Sequence, residues 1–245
     1  MHPKIISYNC ESFCKNVNII RVLLGKCDVL LLQETLLTEN SDVSMEECSD
    51  EFDVCITPAT RRRDCFIGKS SGGLAIFYKK SLSTHIRPKY YTSRIMGITI
   101  NVSNNVILLL NVYFPCDYRT DDSLVAYLDT LSELGNIYKS SVAENIIMAG
   151  DFNCDPNKGR FFKEFSKFVN DFSLNAADIR SLPEDTHTYV SRNNNCSTSW
   201  LDHLVVTNTN LVSSISVMYG DTFEDHIPLQ FALSLSIESS QNYIP

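Results

Sequence analysis

Stretches of apolar sequence in this chain repeatedly end on side chains that can carry charge or direct hydrogen bonds. Asn9 and Glu11 follow Ile5-Ile6, and Gln33-Glu34 follow four consecutive apolar residues, Val29 to Leu32. Asn111 and Tyr113 lie in the run Ile107–Phe114 just before Pro115, while Asp151 and Asn153 follow Ile146-Ile147-Met148-Ala149-Gly150. Asp202 sits inside Trp200-Leu201-Asp202-His203-Leu204-Val205-Val206, and Asp225-His226 precedes Ile227-Pro228-Leu229. A carboxylate at the margin of a core strand is costly unless it is paired, hydrogen-bonded or bound to a metal. One such residue would mean little, since loops routinely begin with Asp or Asn. Repeated at strand after strand, the pattern predicts a shared cleft. Its donors are carboxylates and amides, with no Cys/His cluster at zinc spacing, so the cation they suit is Mg²⁺ or Mn²⁺.

The elements that must position these residues are legible in outline. Residues 4–9 read as a strand, and 16–25 as a helix with Val17, Ile20, Leu23 and Leu24 on one side. Asp28 to Gln33 is apolar on both faces, as in a strand buried between layers. The stretch 38–51 is polar and acidic, an exposed loop or short helix. The density of its run Glu46-Glu47-Cys48-Ser49-Asp50-Glu51-Phe52-Asp53 suits a solvated loop better than a metal site. Gly72-Gly73 opens a strand at Leu74–Tyr78, and runs 94–102 and 105–114 join around Ser103-Asn104-Asn105, a hairpin-like turn. A helix over 121–139 carries Leu124, Tyr127, Leu128, Leu131 and Leu134 at spacings of three and four. Asn145–Ala149 is a strand running into Gly150-Asp151, Phe161–Phe172 a further helix, and strands follow near 186–190, 200–207 and 229–236. Strands mixed with helices, without a strict βαβ rhythm, predict an α/β fold of two mixed sheets packed face to face and covered by helices. The expectation is one domain over 1–237, with 238–245 a polar tail leading toward further domains.

Composition narrows the function. The 245 residues are 44% hydrophobic and 20% charged, which is globular. Asp and Glu number 29 against 21 Lys and Arg, a net charge of −8. That argues against a protein that coats polyanions, because such affinity comes from cations neutralising phosphates. An enzyme touching a few phosphates is compatible with it. No apolar run approaches the ~18–20 residues that span a bilayer, so no membrane partner is expected, and the start lacks the apolar core of a secretory signal. Nine cysteines, an odd number without a Cys-x-x-Cys pair, read as buried, reduced thiols of an intracellular protein.

Taken together, the motifs resemble a known family. Ser7-Tyr8-Asn9, Gln33-Glu34, Asn111-Val112-Tyr113-Phe114-Pro115, Gly150-Asp151-Phe152-Asn153, Trp200-Leu201-Asp202-His203 and Asp225-His226-Ile227-Pro228 occur in this order. They look like the endonuclease/exonuclease/phosphatase superfamily, whose prototype is deoxyribonuclease I, and they span nearly the whole chain. The nearest likeness is to the apurinic-like endonuclease domain of non-LTR retrotransposons. Its compact length fits, as do Cys27-Asp28-Val29-Leu30-Leu31-Leu32-Gln33-Glu34-Thr35 and Gly72-Gly73-Leu74-Ala75-Ile76. Inositol phosphatases of the superfamily usually carry Trp before Gly-Asp-x-Asn and Cys-Asp-Arg around the later Asp; here stand Ala149 and Leu201-Asp202-His203. At Glu11, repair-type relatives commonly have Asp.

The resemblance implies a four-layered α/β sandwich and a division of labour. Glu34 is the leading metal ligand, with Glu11 and Asp225 as helpers and Asn9 positioning them, the four making up the metal-binding set. Asp151 orients or deprotonates the attacking water, and Asn153 holds water and phosphate. Asp202 pairs with His226, favouring an imidazolium that stabilises charge on the phosphorane. Tyr113 donates to a phosphate oxygen. Asn111 is expected to orient neighbours by hydrogen bonds, His203 to pack, and His85, His187 and Cys154 to have no part in the chemistry.

For DNA contact the candidates are Arg61, Arg62, Arg63 and Lys69, then Lys158 and Arg160. A polar segment around Thr188, Arg192, Asn193, Asn194 and Ser199 sits where retrotransposon relatives insert a loop into the minor groove, whose acceptors suit Asn and Arg. The implied activity is Mg²⁺-dependent nicking of one strand of double-stranded DNA. The resulting 3′-hydroxyl would prime a downstream reverse transcriptase, acting in the nucleus. Abasic-site repair, RNA deadenylation and phosphoinositide dephosphorylation are rival chemistries of the same superfamily, and a non-catalytic binding module is the rival of another class.

Overall fold

The computed structural model describes residues 2–38, 50–61, 70–102, 105–192, 197–220, 223 and 225–235. Two six-stranded sheets dominate it. Numbered along the chain, the first sheet runs β15 (Val212–Val217), β16 (Leu229–Leu233), β1 (Lys4–Asn9), β2 (Val29–Gln33), β6 (Leu74–Lys79), β3 (Phe52–Thr57). The second runs β11 (Asn175–Ala176), β14 (Asp202–Val206), β10 (Asn145–Asp151), β9 (Asn105–Tyr113), β8 (Ile95–Val102), β7 (Ile86–Tyr90). Short hairpins, β4 (Thr60–Arg61) with β5 (Ser70–Ser71) and β12 (Tyr189–Val190) with β13 (Thr198–Ser199), stand apart from them. The helices are α1 (Phe13–Leu24), α2 (Asp121–Ser140), α3 (Arg160–Asp171) and the short α4 (Ala177–Ser181).

Alternation along each central strand builds the four layers. In β2, Val29 and Leu31 face the other sheet, while Leu30 and Leu32 face α1 with Phe13, Ile20 and Leu23. In β9, Ile107 and Leu109 join the core between the sheets, and Leu108 and Leu110 pack under α2 and α3 with Tyr127, Leu134 and Phe165. Side chains point to opposite faces at period two, so a strand covered on both sides must be apolar throughout. The architecture is that of the expected α/β sandwich. The first helix begins at Phe13, earlier than the expected 16, because the Phe13 side chain is fully buried and stacked on Phe77 at 6.2 Å. Leu128, placed by its spacing on the buried stripe of α2, is 37% exposed; Tyr127, Leu131 and Leu134 carry that face. Paired structure in the 186–190 stretch is confined to Tyr189–Val190.

Among the described residues no helix is long and apolar enough to cross a membrane. Cys10, Cys14, Cys27, Cys55, Cys116 and Cys154 are free thiols, and of these Cys14 is exposed. Most of the acidic stretch, the turn at 103–104 and the tail at 238–245 lie outside the described residues.

Candidate active site

The two sheets each contain one parallel pair: β1 with β2, joined by α1, and β9 with β10, joined by α2. Each pair ends, in the chain direction, on polar residues. The first ends on Asn9 and Gln33-Glu34, the second on Tyr113 and Asp151. Binding sites of parallel sheets form beyond the carboxyl ends of strands, where loops part. Here two such ends face each other across the sandwich. Gly150 lets β10 close against β9: it holds φ at 148°, and a Cβ there would lie 2.0 Å from the Val112 carbonyl oxygen. Beyond the strands, Glu11, Glu34 and Asn153 all adopt left-handed backbone, with φ of 50°, 51° and 49°. Strain of this kind persists only where surrounding structure enforces it.

Asn9 joins the halves. Its amide donates to Glu34 Oε1 at 3.1 Å and to Asp151 Oδ2 at 3.0 Å, and its carbonyl oxygen accepts from the Glu11 N–H at 3.1 Å. Asp151 also accepts from the Asn153 N–H at 2.8 Å and the Asn153 amide at 3.1 Å. The Asn153 amide donates as well to the Phe114 carbonyl oxygen at 2.9 Å. His226 Nδ1 lies 3.0 Å from Asp202 Oδ2, and its Nε2 points toward Asp151 Oδ2 at 3.9 Å. Thr188 Oγ1 accepts from the Leu201 and Asp202 N–H groups at 3.0 and 2.9 Å, fixing the backbone that carries Asp202.

Burial and charge set the protonation of this pair of opposites. Burial pushes the Asp151 carboxyl up to about 7; His226 draws it down, and Asp202 and Glu34 raise it. Burial lowers His226, but the neighbouring carboxylates, Asp202 foremost, outweigh it and bring the imidazole up to about 9. Between those values Asp151 is an anion and His226 a cation, as a base facing an electrophile requires. The Tyr113 phenol is pushed far up, first by burial and then by the Glu34 charge, so it stays a donor. Arg94 clamps Tyr113 from behind, its guanidinium 5.2 Å from the ring centroid and 3.3 Å from the carbonyl oxygen. Cys116, beside them, is pushed up to about 12, first by burial and next by Asp151, and is no nucleophile.

The oxygen donors Glu34, Glu11 and Asp225 border this cluster. Among the described residues no three His, Cys, Asp or Glu side chains converge into a closed metal cage. Mg²⁺ keeps several waters and needs only one or two carboxylates, which this set supplies, so the residues fit such an ion. Asn9 braces Glu34 and Asp151 and accepts from the Glu11 N–H, holding the donors in place. Burial, and after it the adjoining Asp225 carboxylate, raises Glu11.

The remaining sequence candidates divide. Thr188 is fully buried and cannot touch DNA; its hydroxyl serves Asp202. Arg160 spends its guanidinium on Asp117 at 2.8 Å, Ser123 Oγ at 3.0 Å and the Thr120 carbonyl oxygen, tying the start of α3 to that of α2. Lys158 is exposed beside the cleft and donates to the Thr198 carbonyl oxygen at 3.0 Å. Arg192 lies against Glu11 and Asp225. Ser199 lines the cleft, a cavity of about 720 Å³. Arg62, Arg63, Lys69, Asn193 and Asn194, and the side chain of Arg61, fall outside the described residues. Asn111 does orient its neighbours: it accepts from Gln33 at 2.6 Å and donates to the Leu32 and Ala75 carbonyl oxygens at 2.9 and 3.1 Å, linking the sheets. His203 is fully buried between Asp178, at 2.7 Å, and the Cys154 carbonyl oxygen, at 2.8 Å. Sequence reading missed Asp178, and also Asp117, Arg119 and Asp155, which line the cleft. Asp155 receives the Trp200 N–H at 3.3 Å. Only the need of a buried His203 for a partner hinted at Asp178.

A cleft between paired sheets, with a carboxylate, an Asp-held imidazole and a set of hard oxygen donors, is the site of a phosphoester hydrolase. The chain belongs to the Endonuclease/Exonuclease/phosphatase family, whose model matches residues 6–226. Among solved structures, an AP endonuclease from Leishmania major is similar with a TM-score of 0.78 at 16% identity, over 95% of this chain and 87% of that one. A 3′-5′ exonuclease from Neisseria meningitidis gives 0.72 at 14% identity, over 95% and 100%. The endonuclease domain of TRAS1, a telomere-specific non-LTR retrotransposon, gives 0.67 at 14% identity, over 95% and 98%. At these identities the likeness is one of fold. No curated protein sequence matches the chain.

Proposed function

We propose that this enzyme is a Mg²⁺-dependent endonuclease that nicks one strand of duplex DNA, leaving a 3′-hydroxyl that primes reverse transcription in a non-LTR retrotransposon. The observation that carries the hydrolytic part is the meeting of Asp151 with Asn9 at 3.0 Å and with His226 at 3.9 Å, one base and one imidazole across a single cleft. Asp151, held by Asn9 and both nitrogens of Asn153, takes the proton of the attacking water. His226, kept protonated by Asp202, faces the phosphate and offsets its growing charge, and Tyr113 donates its hydroxyl there. Glu34, with Glu11 and Asp225, would hold Mg²⁺, which when bound neutralises phosphate and departing-oxygen charge. Support for DNA as substrate comes from structural neighbours that include an AP endonuclease and a 3′ phosphatase from Neisseria bound to a product DNA hairpin, and for the retrotransposon role from the TRAS1 domain among them.

Abasic-site cleavage is the second reading, favoured by the higher TM-score to the Leishmania enzyme. Supercoiled plasmid and an abasic duplex, each incubated with and without Mg²⁺, separate the two. Metal-dependent plasmid nicking with extendable 3′ ends supports the proposal. Cleavage of the abasic duplex alone gives the second reading, and undiminished nicking in excess EDTA removes the metal from both.

A further inference from the structure

Arg192 occupies an unusual place. The base of the β12–β13 hairpin is laced to the segment carrying His226: the Val190 N–H donates to the Asp225 carbonyl oxygen at 2.8 Å, and the Ile227 N–H to that of Thr188 at 2.7 Å. This ladder, with the bridge between Tyr189 and His226, delivers Arg192 to the mouth of the cleft by main-chain geometry. There its Nε pairs with Asp225 Oδ1, and its Nη2 lies 3.5 Å from Glu11 Oε2. The Asp225 side chain is 15% exposed and that of Glu11 33%, whereas Arg192 is 56% exposed and covers them from the solvent side. Two carboxylates brought together need a positive charge between them. A guanidinium supplies one, and so would a divalent ion, but two cations repel at that spacing.

We propose that Arg192 is a phosphate-binding residue which, in the free enzyme, stands in for the divalent ion between Glu11 and Asp225 and passes to the substrate when the ion arrives. The planar fork of a guanidinium matches phosphate oxygens as well as it matches carboxylates, so the charge can pass from one to the other. Releasing Arg192 from the carboxylates is a cost that metal and DNA would otherwise each meet alone; bound together, they meet it once. Metal and DNA therefore strengthen each other's binding through this residue, by the same factor in both directions. The inference rests on the proposed metal-dependent function.

Mn²⁺ binding to the full chain, followed by the loss of the free-ion paramagnetic resonance signal, tests it without reference to activity. Arg192→Ala should bind Mn²⁺ roughly two- to fivefold more tightly than the parent, the scale of a partly exposed ion pair. A short duplex with phosphorothioate linkages, charged but resistant to hydrolysis, should tighten Mn²⁺ binding of the parent more than that of Arg192→Ala. Equal or weaker Mn²⁺ binding by Arg192→Ala, or equal enhancement by the duplex, overturns the proposal. Glu34→Gln marks the other failure: Mn²⁺ binding that survives this change, or is absent in every protein, means the metal reading itself is wrong, and the proposal falls with it.

Discussion

Two buried histidines, each paired with an aspartate, sit on opposite sides of the Asp202 strand's neighbourhood and do different work. His203 places Nδ1 on Asp178 and Nε2 on the Cys154 carbonyl oxygen, leaving neither nitrogen for a substrate. Three rings enclose it: Phe165 at 5.3 Å, with Phe152 and Trp200 at 6.0 Å. His226 uses Nδ1 on Asp202 but turns Nε2 to the cleft, toward Asp151, with Tyr189 edge-on at 5.0 Å. An Asp–His pair is therefore no evidence of catalysis by itself. What separates the two is the occupancy of the second nitrogen and what that nitrogen faces.

The comparison breaks most visibly at His203. His203→Ala strands the buried Asp178 carboxylate, so chemical unfolding should show a loss of about 3–5 kcal/mol, the scale of a broken buried ion pair. The folded protein should keep its turnover. If unfolding is unchanged and cleavage is lost, the roles assigned to the two histidines are reversed. His226→Ala should also leave a buried carboxylate, Asp202, unpaired and cost stability, but unlike His203→Ala it should lower single-turnover cleavage of the folded protein by roughly two orders of magnitude, as for a lost acid or charge stabiliser. A near-parental rate would release His226 from its role.

A pH series sharpens the contrast. Burial lowers His203, but Asp178 outweighs it and holds the imidazole well above the usual histidine range. A group raised on folding adds stability that is whole below its unfolded value, about 6.5, and is lost as pH climbs through the folded value. The stability gap between the parent and His203→Gln should thus be flat below about pH 6.5 and shrink on the alkaline side. A gap that widens with pH would show His203 to be neutral. The smallest effect belongs to Tyr189→Leu, which keeps apolar cover over His226 but removes the ring edge. An aromatic contact is worth about 0.5–1.5 kcal/mol, so a few-fold slower cleavage is expected, read by the same single-turnover assay.

The central strands were legible in the sequence and the edge strands were not, for one reason. β1, β2, β9 and β10 are covered on both faces and had to be written as apolar runs. Within the two large sheets, the strands that went unread, β3, β7, β11 and β15, are the four edges. β7 is Ile-Arg-Pro-Lys-Tyr, exposed after its first residue, and its proline is tolerable only where no neighbour needs the N–H. β15 is Val-Ser-Ser-Ile-Ser-Val, its period broken at Ser213-Ser214 where the register shifts, and it buries none of its residues fully. The site followed the same logic. Asn9, Glu34, Asp151, Asp202 and His226 stood out because polar residues interrupted apolar runs. Asp178 and the bracing roles of Arg160 and Thr188 did not, because each depends on a partner remote in sequence.

The oily layer between the sheets is also a spacer for the chemistry. Ile5, Leu31, Leu109 and Ile147, one from each parallel strand, fill the gap whose rim carries Asn9 on one side and Asp151 on the other. Such a core is packed to crystal-like density and does not compress, and Asn111 pins the sheets together near its end. The separation of the reacting groups is thus gauged by the thickness of aliphatic side chains that never meet a substrate. A methyl group removed from that layer would act on the enzyme as a shim removed from a vice, altering how the jaws meet while every residue of the jaws stays in place.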